Sequence, residues 1–231
     1  FRDSCSWKNV MDISDNIAKI NDKIESAATR SGRSSEEIKL IAVSKKKSTD
    51  LIAAAHHCGL TNFGENYLQE SVEKISSINS KEIDWHFIGN IQSKKSSQIA
   101  QYFSWVHTID RAKIVNALDA AGQNLKVLIQ VNVSDEKSKS GISESDLMPL
   151  AEIVIESKCL ELKGLMALPS PPIDGKINEK EYEKMNMLSD QLKNYYSPAN
   201  ELSLGTSQDF ELGIKHGSTM VRVGESIFGK R

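Results

Sequence analysis

Short apolar runs of strand length alternate along this chain with longer stretches of helical pattern, and few folds accept that order. The runs fall at 39–44, 61–64, 84–88, 104–108, 126–133, 161–167, 201–204 and 219–223. Helix-compatible stretches lie between them at 48–58, 65–77, 93–101, 111–121, 144–157, 178–195 and 207–216. A strand that returns to its own sheet through a helix runs parallel to its predecessor, with a right-handed crossover. Eight such units in 231 residues predict an α/β fold closed into a single (β/α)8 barrel of TIM type. A doubly wound open sheet is the rival, and periodicity does not separate the two. Ile13, Ile17, Ile20 and Ile24 recur at helical spacing and predict an extra N-terminal helix over 12–30. The segment 169–175 carries three prolines and reads as a loop. One domain covering 1–231 is expected.

Charge and composition exclude several function classes. Hydrophobic residues make up 39% and charged residues 26%, enough for a sizeable core under a solvated surface. The formal charge of −2 argues against nucleic-acid binding driven by bulk charge. Apolar stretches such as Leu40–Val43 and Val127–Ile129 are far too short to span a bilayer. Phe1 to Met11 holds no apolar run of signal-peptide type, and a sequence opening on Phe1 points to a start upstream. Cys5, Cys58 and Cys159 are odd in number and widely spaced, without a CxxC pair. That pattern disfavours a disulfide framework or a zinc site and suits a reducing, cytoplasmic compartment.

In a parallel barrel, chemistry gathers at the carboxyl ends of the strands. Polar or otherwise notable residues stand there in this chain: Lys45, Asn66, His86, Asn132, Met166, Ser207 and Arg222. A lysine closing an apolar strand can be partly desolvated and so become a nucleophile toward a carbonyl. It can equally be a surface lysine with its stem on apolar neighbours. Gly205-Thr206-Ser207-Gln208-Asp209 and Gly224-Glu225 would follow the seventh and eighth strands, where barrels commonly bind phosphate. Ser207 as an N-cap, with Asp209 in the following first turn, explains the same residues without a ligand. Gly217-Ser218-Thr219 fits either a third piece of that site or a helix C-cap. Arg222, between Val221 and Val223, needs an acceptor if buried, from a ligand or from a carboxylate of the protein. Gly224 to Arg231 resembles a P-loop but has Arg231 where the metal-binding hydroxyl belongs. His56-His57-Cys58 would point in different directions on a helix. His107 and His216 have no evident partner.

Taken together the strings resemble a known family. They are Ile41-Ala-Val-Ser-Lys45, Phe63-Gly-Glu-Asn66-Tyr67, Trp85-His-Phe-Ile-Gly89 with Gln92-Ser-Lys, and Val131-Asn-Val-Ser134 with Lys139-Ser-Gly141. Leu162-Lys-Gly-Leu-Met166 and Gly217-Ser-Thr-Met-Val-Arg222-Val-Gly224 complete the set. In order, from about residue 12 to 231, the chain resembles the pyridoxal phosphate homeostasis protein family, related to the amino-terminal barrel of alanine racemase.

The resemblance implies a barrel that binds pyridoxal 5′-phosphate (PLP), held as an internal aldimine on Lys45. Ser207 would bind the phosphate with the backbone of Gly224 and Glu225, and Thr206 would add a contact. Arg222 would hydrogen-bond the pyridine nitrogen. Asn66 and Met166 would line the pocket, with His86 and Ile88 nearby, and no metal is implied. Three positions depart from the family pattern: Thr206, Asn90, and Glu225, whose acidic side chain would repel a phosphate unless it points away. The implied role is a PLP carrier or buffer with little or no turnover, a cytoplasmic monomer, with apo PLP-dependent enzymes as recipients. In alanine racemase a second base comes from a β-rich domain, and a sequence closing just after the eighth strand leads to the expectation of a barrel without it. The alternatives are a PLP-dependent amino-acid racemase using a barrel residue such as Tyr67, and a PLP-free barrel binding a sugar phosphate. Lys137 and Lys230 are further candidates for secondary PLP binding.

Overall fold

Each apolar run becomes one strand, and the strands close on themselves in sequential order, the first pairing with the last. This is a computed structural model, and it describes residues 3–134, 136, 139–172 and 174–229. The strands are β1 (Lys39–Val43), β2 (Asn62–Glu65), β3 (Asp84–Phe87), β4 (Trp105–Ile109), β5 (Leu125–Val131), β6 (Leu160–Ala167), β7 (Glu201–Thr206) and β8 (Met220–Val223). All pairings are parallel, with Ala42 opposite Phe63 and Ile41 opposite Arg222. The helices are α1 (Asp3–Arg30), α2 (Thr49–His57), α3 (Leu68–Ile78), α4 (Ser96–Tyr102), α5 (Ala112–Asp119), α6 (Leu147–Ile155), α7 (Glu179–Tyr195), α8 (Phe210–Lys215) and α9 (Glu225–Phe228). The open-sheet alternative is thereby removed. No helix among the described residues is long and apolar enough to cross a membrane.

Strand alternation divides the apolar residues into two cores. One face of each strand joins the helices in a continuous outer core, which includes Phe63, Val106, Ile129 and Leu165. The other face meets inside the barrel, where Ile41, Trp105, Leu128, Met166 and Met220 form a separate small cluster. Fully burying a side chain of this size contributes about 1.5–3 kcal/mol, so the outer core dominates stability. The inner one has room for polar groups. The stripe foreseen on α1 is buried as Ile13, Ile17, Ile20 and Ile24, continued by Ala27 and Ala28. It packs on α2, α8 and α9.

Element edges differ from the sequence reading for local reasons. The helix after β2 starts at Leu68 rather than at residue 65, because Glu65 is still paired in the strand opposite Phe87. β7 runs on to Thr206, and α8 starts only at Phe210, with Asp209 rather than Ser207 at its N-cap. β5 stops at Val131, after which a single bridge joins Val131 to Ile142. The Gly217 segment is a helix ending: Gly217 takes φ +87, and Ser218 N–H returns to Gly213 O at 2.9 Å. The short α9 was not foreseen. Gly164 lets β6 and β7 approach, for a Cβ there would lie 1.7 Å from the Glu201 carbonyl oxygen.

Candidate functional site

A cavity of about 290 Å3 opens at the carboxyl rim of the strands. Val43 and Lys45 come to it from the end of β1, Asn66 from β2, Ile88 from β3, and Met166 and Leu168 from β6. Thr206, Ser207 and Gln208 follow β7, while Arg222, Gly224 and Glu225 belong to β8 and the start of α9. Gly89 allows the end of β3 to pass Asn66 closely, since a Cβ there would sit 2.0 Å from the Asn66 carbonyl oxygen. The side-chain oxygen of Asn66, Oδ1, is buried without a hydrogen-bond partner. A buried acceptor in that condition costs stability unless a ligand donor supplies what is lacking.

Arg222 forms part of the cavity wall. It is buried, and its acceptors are neutral: Nη1 donates to Ser203 Oγ, and Nη2 donates to Ala167 O at 2.8 Å. The expected choice between a ligand and a protein carboxylate thus resolves into a hydroxyl and a backbone carbonyl. Burial lowers its ionisation to about 10, against the pull of Asp209 and Tyr182, so the guanidinium stays charged near neutral pH.

Behind Ser203 a hydrogen-bonded row crosses the barrel interior. Ser203 Oγ meets His107 Nδ1 at 3.0 Å, His107 Nε2 meets His86 Nδ1 at 2.9 Å, and His86 Nε2 meets Asn62 Oδ1 at 3.0 Å. Both imidazoles are held well below their usual range. The cause is first of all burial, then nearby cations for His86, and His86 itself followed by Arg222 and Lys39 for His107. Two neutral rings fix the direction of every bond. Asn62 Oδ1 can only accept, so His86 Nε2 carries a proton and its Nδ1 accepts. His107 Nε2 then donates and its Nδ1 accepts from the Ser203 hydroxyl, whose lone pairs receive Arg222. All donors therefore point from Arg222 toward Asn62.

Beside Arg222, where Thr206 is its strand partner, lies the turn after β7. Asp209 Oδ1 accepts from Thr206 N–H at 2.6 Å and from Thr206 Oγ1 at 2.7 Å, and its other oxygen accepts from the Tyr182 hydroxyl. Thr206 lines the cavity, yet both of its donors are committed to Asp209. A phosphate contact from Thr206 would have to compete with Asp209 for these donors. Ser207 does not cap α8. Its Oγ accepts from Gly224 N–H at 3.2 Å, which leaves its own hydroxyl proton free to turn toward the cavity. Gly224 N–H, expected among the backbone contacts to a phosphate, donates to Ser207 here. The side chain of Glu225 is exposed, so its charge sits in solvent, while its amide opens the first turn of α9.

The cavity thus gathers Lys45, Asn66, Met166, Thr206, Ser207, Arg222, Gly224 and Glu225, together with Ile88. His86, expected beside the ligand, lies instead in the barrel interior within the histidine row. Its strand position turns the ring inward, stacked on Trp105 at 5.4 Å. Asn132 ties down its own loop, donating to Glu136 O and Lys139 O. Lys137 and Lys230 lie outside the described residues, as does Arg231. His107 and His216 do have partners, the latter meeting Glu179 Oε1 at 2.8 Å. The sequence reading missed Ser203 and the Lys74 cluster described below, and it gave Gln208 no role of its own. Only Lys74 had a usable signal, as a cation one helical turn from Glu70.

Three comparisons bear on this arrangement. The family description of the alanine racemase N-terminal domain matches residues 16–231. A pyridoxal phosphate homeostasis protein from Escherichia coli (strain K12) is 47% identical over 227 residues, covering 95% of this chain and 97% of that protein. Among solved structures, PipY of Synechococcus elongatus with PLP bound superposes with a TM-score of 0.81 at 25% identity, over 94% of this chain and 100% of PipY. An unknown protein from Bifidobacterium adolescentis gives a TM-score of 0.90 at 27% identity, over 96% of each chain.

Proposed function

The chain belongs to the pyridoxal phosphate homeostasis protein family, within the alanine racemase N-terminal domain class of barrels, and on that premise we propose that it binds PLP in the carboxyl-rim cavity and serves PLP homeostasis as a carrier or buffer. One observation carries the reading: a lysine, a charged arginine, a free hydroxyl and an unpartnered amide oxygen converge on a single cavity of ligand size. That set fits PLP group by group. Lys45 Nζ would condense with the aldehyde, releasing water, to hold PLP as a Schiff base. Ser207 and the amide at the start of α9 hold the phosphate. Asn66 Oδ1 would accept from the ring hydroxyl, and Met166 and Ile88 would cover the ring faces.

Arg222 would face the pyridine nitrogen and, able only to donate, would leave that nitrogen unprotonated. Bound PLP supplies an electrophilic imine, and an unprotonated ring makes it a weak sink for carbanion electrons. Racemisation calls for a second base opposite Lys45. Tyr67 is 49% exposed, carries Lys46 Nζ 5.8 Å above its ring, and does not line the cavity; Tyr182 is committed to Asp209. These placements favour binding over turnover. The proposal extends to one PLP-binding unit over 1–231, acting as a cytoplasmic monomer that hands PLP to apo enzymes.

The test is the visible spectrum of the purified protein after incubation with PLP, beside Lys45→Ala. A yellow band that borohydride traps in the wild type and that is missing from the variant is expected. A wild type that stays colourless would overturn the reading and leave a sugar-phosphate barrel in its place.

A further inference from the structure

Lys45 stands between two residues held by one buried ionic cluster. Lys74 on α3 is buried, and its ammonium donates to Ser44 O at 2.7 Å, Glu65 Oε1 at 2.8 Å and Glu70 Oε1 at 2.5 Å. An ammonium has three donors, so all are used. Ser44 Oγ donates to the same oxygen of Glu65 at 2.6 Å, and Lys46 N–H donates to Glu70 Oε1 at 2.5 Å. Glu70 and Lys74 lie one helical turn apart and so share a face of α3, while Glu65 closes β2. Three of the five bonds therefore end on Ser44 and Lys46, the neighbours of Lys45 on either side. Lys46 has φ 60, a left-handed conformation that a residue with a Cβ adopts only when something holds it there.

Stability alone is a poor account of such a cluster. Burying charges costs about as much as their attraction returns, and apolar side chains of similar volume often do as well. Burial pushes the Glu65 carboxyl upward, with Lys74 and Ser44 only partly opposing it. Its second oxygen, Oε2, remains buried without a hydrogen-bond partner. Apolar replacements could fill the space, but they could neither accept from Lys46 N–H nor donate to the Ser44 carbonyl.

We propose that Lys74, Glu65 and Glu70 are positioning residues for Lys45, locking the Ser44–Lys46 turn so that Nζ enters the cavity in one orientation. The inference rests on the reading of Lys45 as the PLP-bearing lysine. Glu70 offers the cleanest test, because its side chain is 30% exposed and can be removed without opening the core. Two quantities are measured: hydrogen exchange of the Lys46 amide in protein free of PLP, and the rate at which the borohydride-trappable band appears on adding PLP.

In Glu70→Ala the Lys46 amide should exchange about tenfold faster and the band should form about tenfold more slowly, since misplacing a reacting group costs rate steeply. Glu70→Gln keeps an acceptor oxygen and should restore both to within about twofold of wild type. Wild-type exchange and uptake in Glu70→Ala would overturn the proposal. So would a Glu70→Gln variant as impaired as Glu70→Ala, which would assign the effect to charge rather than to the held turn. These outcomes count against a wild type that colours normally. A colourless wild type instead overturns the PLP reading, and the role in positioning Lys45 with it.

Discussion

At the scale of single residues, the site divides into what adjacent sequence carries and what only the closed barrel assembles. Lys45 and Arg222 were legible because each sits in a distinctive string at the end of an apolar strand, and both line the cavity. Ser203 was not, since nothing around it marks one hydroxyl as the meeting point of Arg222 and His107, far away in the chain. The hold of Asp209 on Thr206 was not legible, because only the folded turn brings that carboxylate back onto both Thr206 donors. Removing the meeting point should be costly. Ser203→Ala leaves a buried guanidinium donor and His107 Nδ1 each without a partner, and an expected loss of about 1.5–3 kcal/mol follows from hydrogen bonds to charged groups. Urea unfolding measures it. A loss below about 0.5 kcal/mol would mean that water or a neighbour substitutes for the hydroxyl.

At the scale of elements, periodicity placed every strand and most helices, and the errors fall at ends. Glu65 and Thr206 were assigned outside their strands because a polar residue reads as the close of an apolar run, although pairing with β3 and β8 continues through them. The four residues of α9 lack the length that periodicity needs. Gly164 looked like any strand glycine, yet its φ of +148 and its contact with Glu201 set how closely β6 approaches β7. Gly164→Ala should therefore strain the backbone and push the two strands apart. It is expected to destabilise by about 3 kcal/mol or more, read as a lower midpoint in thermal unfolding. A variant as stable as wild type would show that the β6–β7 contact relaxes at little cost.

At the scale of the whole molecule, the count of eight units foretold closure, but not that the interior would hold two neutral imidazoles. That follows from which residues face inward once the sheet is a ring. It has a consequence in pH. An imidazole released by unfolding titrates near 6.5, whereas the folded pair resists protonation, so below that value the unfolded chain binds more protons and stability falls with pH. The slope should reach about 1.4 kcal/mol per pH unit for each ring. Glu65, raised in the fold, acts in the opposite sense as pH falls through its folded value toward 4.5. Imidazole NMR signals separate the two effects: neither ring should titrate near 6.5, and a ring that did would contradict the neutral pair. The one-way row from Arg222 to Asn62 can also be read as a line of aligned dipoles. Each group turns its lone pair toward the guanidinium and its proton away, so the negative ends add along the row and face the buried cation. The row thus adds aligned dipoles to the pull that Asp209 and Tyr182 exert on the charge of Arg222. The orientation of one amide at the far end of the barrel interior fixes the direction of every dipole in the row.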